Sequence, residues 1–320
     1  MEVFGGSLEL ARAVFLLGAV LALVYKMKFG VTPGGIIVPS LMALALYSGL
    51  VPFIIMVLLS AANWGIYKLF LARFPLSHRM ESLAAMSLSI MLSLIVMALF
   101  QQYIANSHEF IVMNLVTPGL FTISARKYGV TPVTFGTLVV TFTVYIIGIT
   151  LAAVLPVGTL TQSAASLAHY QHLELVNPFI VLPVSLAIAG ITYWQFGLRS
   201  GGYVIGPIVA AIAVSSWVQA LMLVAGIIFS YFAIQIVLKY TQVIGLRRFV
   251  LSLVAGFVVV SIMDWIAARY LVPGYLVSVT ASLIAVAVVT NDLTLQSPKD
   301  SIKKGVMPSM LVSYLTRLAV

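Results

Sequence analysis

The sequence predicts an all-α membrane protein: a polytopic transmembrane helical bundle of two tandem six-segment repeats in the same orientation, with Gly/Pro-broken or re-entrant segments. Three observations predict it. Of 320 residues, 62% are hydrophobic and only 8% are charged, and the mean hydropathy is +1.14. A soluble domain carries about 25% charged residues, so a chain this apolar has lipid as its solvent over most of its length. The apolar runs are continuous rather than alternating, which selects helices over a β-barrel. Short motifs also recur in the same order in the two halves.

The first run, Ala13 to Val24, has the length of a signal-peptide core but the wrong flanks. Glu2 and Glu9 precede it, Lys26 and Lys28 follow it, and no small-x-small cleavage site appears, so it reads as a retained first helix near 10–27. Further runs lie near 34–50, 51–71, 83–105, 110–125 and 132–156. After a polar stretch from Gly158 to Asn177 come 178–196, 202–216, 217–238, 249–269, 271–290 and 306–320. The runs at 34–50, 110–125 and 202–216 are shorter than the ~20 residues of a straight span. They are candidates for re-entrant or broken helices, so twelve is a number of segments rather than of spans.

Positive charge orients the chain. If every segment crosses with the N-terminus outside, fourteen of the seventeen Lys and Arg residues fall in loops on one side, and only Arg12, Arg269 and Arg317 fall elsewhere. The Gly158–Asn177 loop has no Lys or Arg, as an external loop should. Both termini are then expected to be external.

The repeat rests on three landmarks. Phe29-Gly30-Val31-Thr32-Pro33-Gly34-Gly35 recurs as Phe196-Gly197-Leu198-Arg199-Ser200-Gly201-Gly202, with Pro39 and Pro207 following. Val116-Thr117-Pro118-Gly119-Leu120 matches Leu271-Val272-Pro273-Gly274-Tyr275, and Lys127-Tyr128-Gly129-Val130-Thr131-Pro132 matches Lys303-Lys304-Gly305-Val306-Met307-Pro308. The expected division is a first repeat at 1–157, an external linker loop at 158–177 and a second repeat at 178–320. A smaller echo joins Lys28–Pro33 to Lys127–Pro132, either as Gly and Pro closing tight helix–helix turns or as an older sub-duplication.

Several chemistries are excluded or unsupported. There is no cysteine, so disulfides, thiolate catalysis and cysteine-ligated metals are absent. His78, His108, His169 and His172 lack metal-ligand spacing within a helix, and no metal or cofactor is expected. No Ser/His/Asp set, phosphate-cradling loop or paired carboxylates at helical spacing appears, so a non-catalytic component is expected. The net charge of +9 comes mainly from the basic loops and suits anionic lipid or an acidic partner rather than nucleic acid.

The candidate functional residues are those that are costly in lipid. Thr32, Pro33, Gly34, Gly35 and Pro39, with Thr117, Pro118 and Gly119, place helix-interrupting residues inside apolar segments. Such breaks are tolerated where they are buried in protein or line a wet cavity, and at matching places in two repeats they point to a transport pathway. The alternative is kinks with close packing through glycine. The second copy keeps Gly201 and Gly202 but has Arg199-Ser200 in place of Thr-Pro. Asp264, inside the run 249–269, is either part of a polar pathway or half of a structural ion pair with Arg269 or Arg12. Arg126, Lys127 and Arg199 stand at the cytoplasmic ends of the Gly-Pro motifs, as positive-inside charges or as contacts for an anion or partner. Glu81 reads as a helix-start charge with Ser77 as cap.

The run Gly30-Val31-Thr32-Pro33-Gly34-Gly35-Ile36-Ile37-Val38-Pro39 resembles the glycine–proline signature of the CapC/PgsC membrane proteins of poly-γ-glutamate capsule synthesis. Val116–Leu120, Gly129–Pro132 and Phe135-Gly136-Thr137 resemble that family's second stretch. The resemblance covers about 8–155, one family unit, and 178–320 fits more loosely as a tandem second unit. It implies a multi-pass subunit of a bacterial cytoplasmic (inner) membrane, beside an ATP-dependent amide ligase and other capsule-type subunits, helping an anionic polymer outward. Two units in one chain can replace a dimer of single units, and a homo-oligomer stays open. The rival expectations are an independent secondary transporter for a small anion or amino acid, coupled through Asp264, and a purely structural membrane scaffold.

Overall fold

The computed structural model describes residues 8–75, 77–99, 108–154, 217–270 and 279–296, with a few isolated positions besides. Among these residues the protein is all helical, and the chain divides into two compact units, 1–164 and 165–320. Unit 1 contains α1 (Leu8–Phe29), α2 (Val38–Ser48), α3 (Leu50–Leu69), a 3-10 turn (Leu71–Arg73), α4 (His78–Leu99), α5 (His108–Tyr128) and α6 (Val130–Val154). Unit 2 contains α7 (Trp217–Tyr240), α8 (Leu246–Tyr270) and α9 (Val279–Leu295). The expected segments 178–196, 202–216 and 306–320, the 158–177 loop and the second-copy landmarks lie outside the described residues, isolated positions aside.

Four helical stretches among the described residues are long and apolar enough to cross a membrane: Leu50–Arg73, Val130–Ala153, Leu221–Tyr240 and Leu246–Met263. They bear large apolar side chains that stand exposed, such as Leu58, Phe135, Phe229 and Val258. In water such faces would be costly, and in a bilayer they are the surface that lipid covers.

Unit 1 is two groups of three helices. α3, α4 and α5 pack on one another, as do α1, α2 and α6, and the groups join where α2 meets α3 and α5 and where α5 meets α6. The ends of α1, α3 and α5 and the starts of α4 and α6 share one end of the unit. Tyr67 and Arg126 both reach Glu81 there, and the Lys26 ammonium acts on Tyr128. That end gathers Lys26, Lys28, Lys68, Arg126 and Lys127. In the first turn of α4, the Met80 N–H donates to Ser77 Oγ at 3.4 Å, so Ser77 caps the helix as its sequence position suggests.

In unit 2 the three helices each pack on the other two. Arg248 of α8 clamps the last turn of α9, its Nε donating to Thr294 Oγ1 at 3.1 Å and its terminal amine to the Thr294 carbonyl. The clamp satisfies a helix-end carbonyl that has no intrahelical donor. The expected run 271–290 is helical from Val279 onward and continues to Leu295, carrying Asn291 and Asp292 inside the helix and into the protein interior.

Candidate functional site

The segment expected at 34–50 is helical only at Val38–Ser48, and the stretch before that helix has a defined course. Gly30 ends α1 with its N–H bonded to the Lys26 carbonyl at 2.8 Å and its φ at 75°. The chain then runs without helix to Ile37. Pro33 centres a three-residue turn in which the Gly34 N–H donates to the Thr32 carbonyl at 2.9 Å. Gly34 and Gly35 follow with φ of 67° and 115°, left-handed values that a side chain would strain. Helical bonding resumes with Leu41 N–H to the Ile37 carbonyl, and Pro39 sits in the first turn of α2, where its missing N–H costs nothing.

The 11 residues of α2 rise only about 16 Å, about half a hydrocarbon core of ~30 Å. The neighbours show what covers the other half. A Cβ on Gly34 would lie 2.9 Å from Thr137 Oγ1, about two turns into α6. Thr141, one turn deeper, donates to the Pro39 carbonyl at 3.4 Å, and at the far end the Tyr47 hydroxyl donates to the Tyr145 carbonyl. The chain therefore follows α6 inward from the basic end as bare backbone and becomes helical near the middle. Thr32, Pro33, Gly34, Ile36 and Ile37 are all buried, so this irregular backbone lies inside protein, the condition that lipid imposes.

Thr32 is joined to the second stretch of the signature. Its side chain lies beside the Tyr128 hydroxyl, a group also within the fields of Lys127 and Lys26. The Lys127 ammonium stands 5.2 Å from the Tyr128 ring centroid. Val31, Trp64 and Tyr128 pack on a cluster of Phe121, Ala125 and Val133 that anchors this end.

Thr117-Pro118-Gly119 does not break its helix. The short run at 110–125 is neither re-entrant nor broken; α5 is a continuous helix of 21 residues with Pro118 in its interior. Asn63 of α3 explains how the site is held. Its Nδ2 donates to the Pro118 carbonyl at 3.0 Å, to Thr122 Oγ1 at 2.7 Å and to the Ala85 carbonyl at 3.4 Å. Gly119 gives Met86 and Ser89 of α4 their close approach.

Arg126 is paired. Its guanidinium meets the Glu81 carboxylate, and the Tyr67 hydroxyl approaches the other Glu81 oxygen at 3.5 Å. Thr32, Pro33, Gly34, Gly35 and Pro39 thus lie along one irregular stretch and the first turn of α2. Arg126 belongs to a second cluster in the same unit, with Lys127 between them at the helix end. Arg199, Gly201 and Gly202 lie outside the described residues, and Asp264 falls on α8 with its side chain outside them. Among the described residues no group of three His, Asp or Glu side chains is placed to hold a metal.

Sequence reasoning missed Asn63 and Asp292. Asn63 is the one amide in the run 51–71, and a lone amide in an apolar helix is a signal of an interhelical bond. Asp292 was placed beyond a run judged to end at 290, whereas the helix carries it into the interior.

Residues 17–134 match the family model described as capsule biosynthesis CapC. The chain is also 31% identical over 135 residues to the PGA biosynthesis protein CapC of Bacillus subtilis (strain 168). That match covers 42% of this chain and 87% of the relative. No solved structure matches.

Proposed function

This chain belongs to the CapC family of capsule-biosynthesis proteins, and from that premise we propose that it is the non-catalytic membrane subunit of a poly-γ-glutamate-type synthesis and export complex. It docks a cytoplasmic ATP-dependent amide ligase on its basic end and helps the anionic polymer across the membrane. The observation that carries this reading is the broken span of unit 1. Largely buried backbone between Thr32 and Ile37 leaves peptide groups unpaired by helix alongside α6, which is long and apolar enough to cross a membrane, beside an end rich in Lys and Arg. Proteins that move polar cargo through lipid place broken helices and freed peptide groups along the route.

In this reading Thr32, Pro33, Gly34, Gly35 and Pro39 line the route, with Thr117, Pro118 and Gly119 supporting it from α5. Residues 178–320 form a second CapC-like repeat after the 158–177 loop, bringing Gly201, Gly202 and Asp264 to its own route. Arg126, Lys127 and Arg199 meet the ligase or the polymer, with the basic loops on the cytoplasmic face of the inner membrane and both termini outside. A mild-detergent pull-down of the tagged protein from its native membrane tests the complex. A stoichiometric amide ligase is expected, and a chain recovered alone would overturn the docking role.

The half-length α2 also favours one rival, an autonomous secondary transporter, because a half-helix in mid-membrane is the usual seat of a small anion. Gradient-driven uptake of an acidic amino acid into proteoliposomes, abolished by Asp264→Asn, would establish that rival in place of the complex.

A further inference from the structure

At the basic end of unit 1, α3, α4 and α5 converge on a narrow crevice lined by Tyr67, Glu81, Ser82, Ala85, Thr122 and Arg126. The Glu81 side chain is 13% exposed and that of Arg126 38%, so the carboxylate lies inside and the guanidinium reaches in from the rim. The floor is held firmly. Asn63 donates beneath the crevice to both Thr122 Oγ1 and the Ala85 carbonyl. Its two carbonyl acceptors fix which amide atom is nitrogen, and this leaves Asn63 Oδ1 buried with no donor. A rim cation and a phenol hydroxyl thus meet one carboxylate, and that carboxylate belongs to the chain itself.

We propose that this crevice is a carboxylate-binding site whose resident occupant is Glu81, and that a side-chain carboxylate of a γ-glutamyl chain displaces Glu81 from Arg126. The identity of the incoming anion rests on the reading above, whereas the site itself rests on the geometry. Exchange of one carboxylate for another keeps the number of charge-assisted bonds to Arg126 constant, and the released Glu81 carboxylate keeps the Tyr67 hydroxyl as a donor, so the incoming group need only outcompete Glu81 rather than dehydrate a free cation. A single glutamate would compete poorly. A polymer with a carboxylate on every residue presents a high effective concentration, so the exchange selects for chain over monomer. Glu81 also keeps the crevice electrically balanced when no polymer is present, and so discourages small anions.

The experiment is equilibrium binding of labelled tri-γ-glutamate to the full chain in phosphatidylcholine nanodiscs at low salt. Glu81→Gln is expected to tighten binding about tenfold by removing the internal competitor while keeping the side chain's shape. Adding Arg126→Gln to that variant abolishes the gain. Unchanged or weaker binding by a folded Glu81→Gln variant overturns the proposal. So does tightening for inorganic phosphate without tightening for tri-γ-glutamate. If Glu81→Gln does not fold, Glu81→Asp, which keeps the charge but shortens its reach, must show the tightening or the site is refuted. Loss of ligase co-purification with this binding intact would overturn the complex and leave the site, and the reverse result would overturn the site alone.

Discussion

Two stretches of unit 1 carry the same four residues, Gly30-Val31-Thr32-Pro33 and Gly129-Val130-Thr131-Pro132. Each glycine closes a helix in the same way, with φ of 75° and 89° and an N–H bond of 2.8 Å to a carbonyl four residues back. The two then diverge. Val130, Thr131 and Pro132 become the first turn of α6, where a proline is tolerated, and Val133-Thr134-Phe135 continue the helix. After Pro33 come Gly34 and Gly35, each costing a helix about 1 kcal/mol relative to alanine, and both turn left-handed, so no helix forms until Val38. Four shared residues specify how a helix ends; the next two decide whether another begins. A third Thr-Pro, followed by glycine at 117–119, stays helical with helix on both sides of it, and Asn63 ties the Pro118 carbonyl to α3.

Gly34→Ala is the severest test of that difference. Left-handed strain and a Cβ 2.9 Å from Thr137 Oγ1 should together cost about 2–4 kcal/mol. The expected result is a large drop in melting temperature in detergent and loss of polymer output. A variant as stable as wild type would mean that the break at Gly34 is not required. Asn63→Leu comes next, at about 1–3 kcal/mol, because it removes a donor shared by α3, α4 and α5. Measured melting unaffected by that change would refute the external support of Pro118.

Gly30→Ala and Gly129→Ala should be milder and equal, about 1–2 kcal/mol each, since both are left-handed but neither Cβ meets an atom closer than 3.6 Å. Clearly unequal shifts in melting would break the equivalence of the two helix ends. The smallest effect is expected from Pro118→Ala, which restores an N–H to a helix that is already continuous, so the melting temperature should hold or rise.

Much of this was legible in the sequence. Composition gave lipid as the solvent, and nine of the apolar runs coincide with helices among the described residues. The Thr32–Gly35 motif pointed to a broken segment, and the short run at 34–50 has a helix only at 38–48. At Pro118 the helix continues on both sides, and the Asn63 amide that meets the Pro118 carbonyl arrives from 55 residues away, beyond the reach of local propensity. Arg126 was legible as a cation at a helix end, yet its partner Glu81 read only as a helix-start charge, since the pairing depends on α4 and α5 lying side by side.

The sequence by itself determined the class, the helix ends at Gly30 and Gly129 and the site of the break, because hydrophobic transfer, proline's missing N–H and glycine's access to left-handed backbone are properties of single residues and their nearest neighbours. Tertiary structure alone decided which amide ties α5 to its neighbours and which carboxylate meets Arg126. Those outcomes depend on donors and charges that come from other helices, and packing, not sequence proximity, brings them within reach.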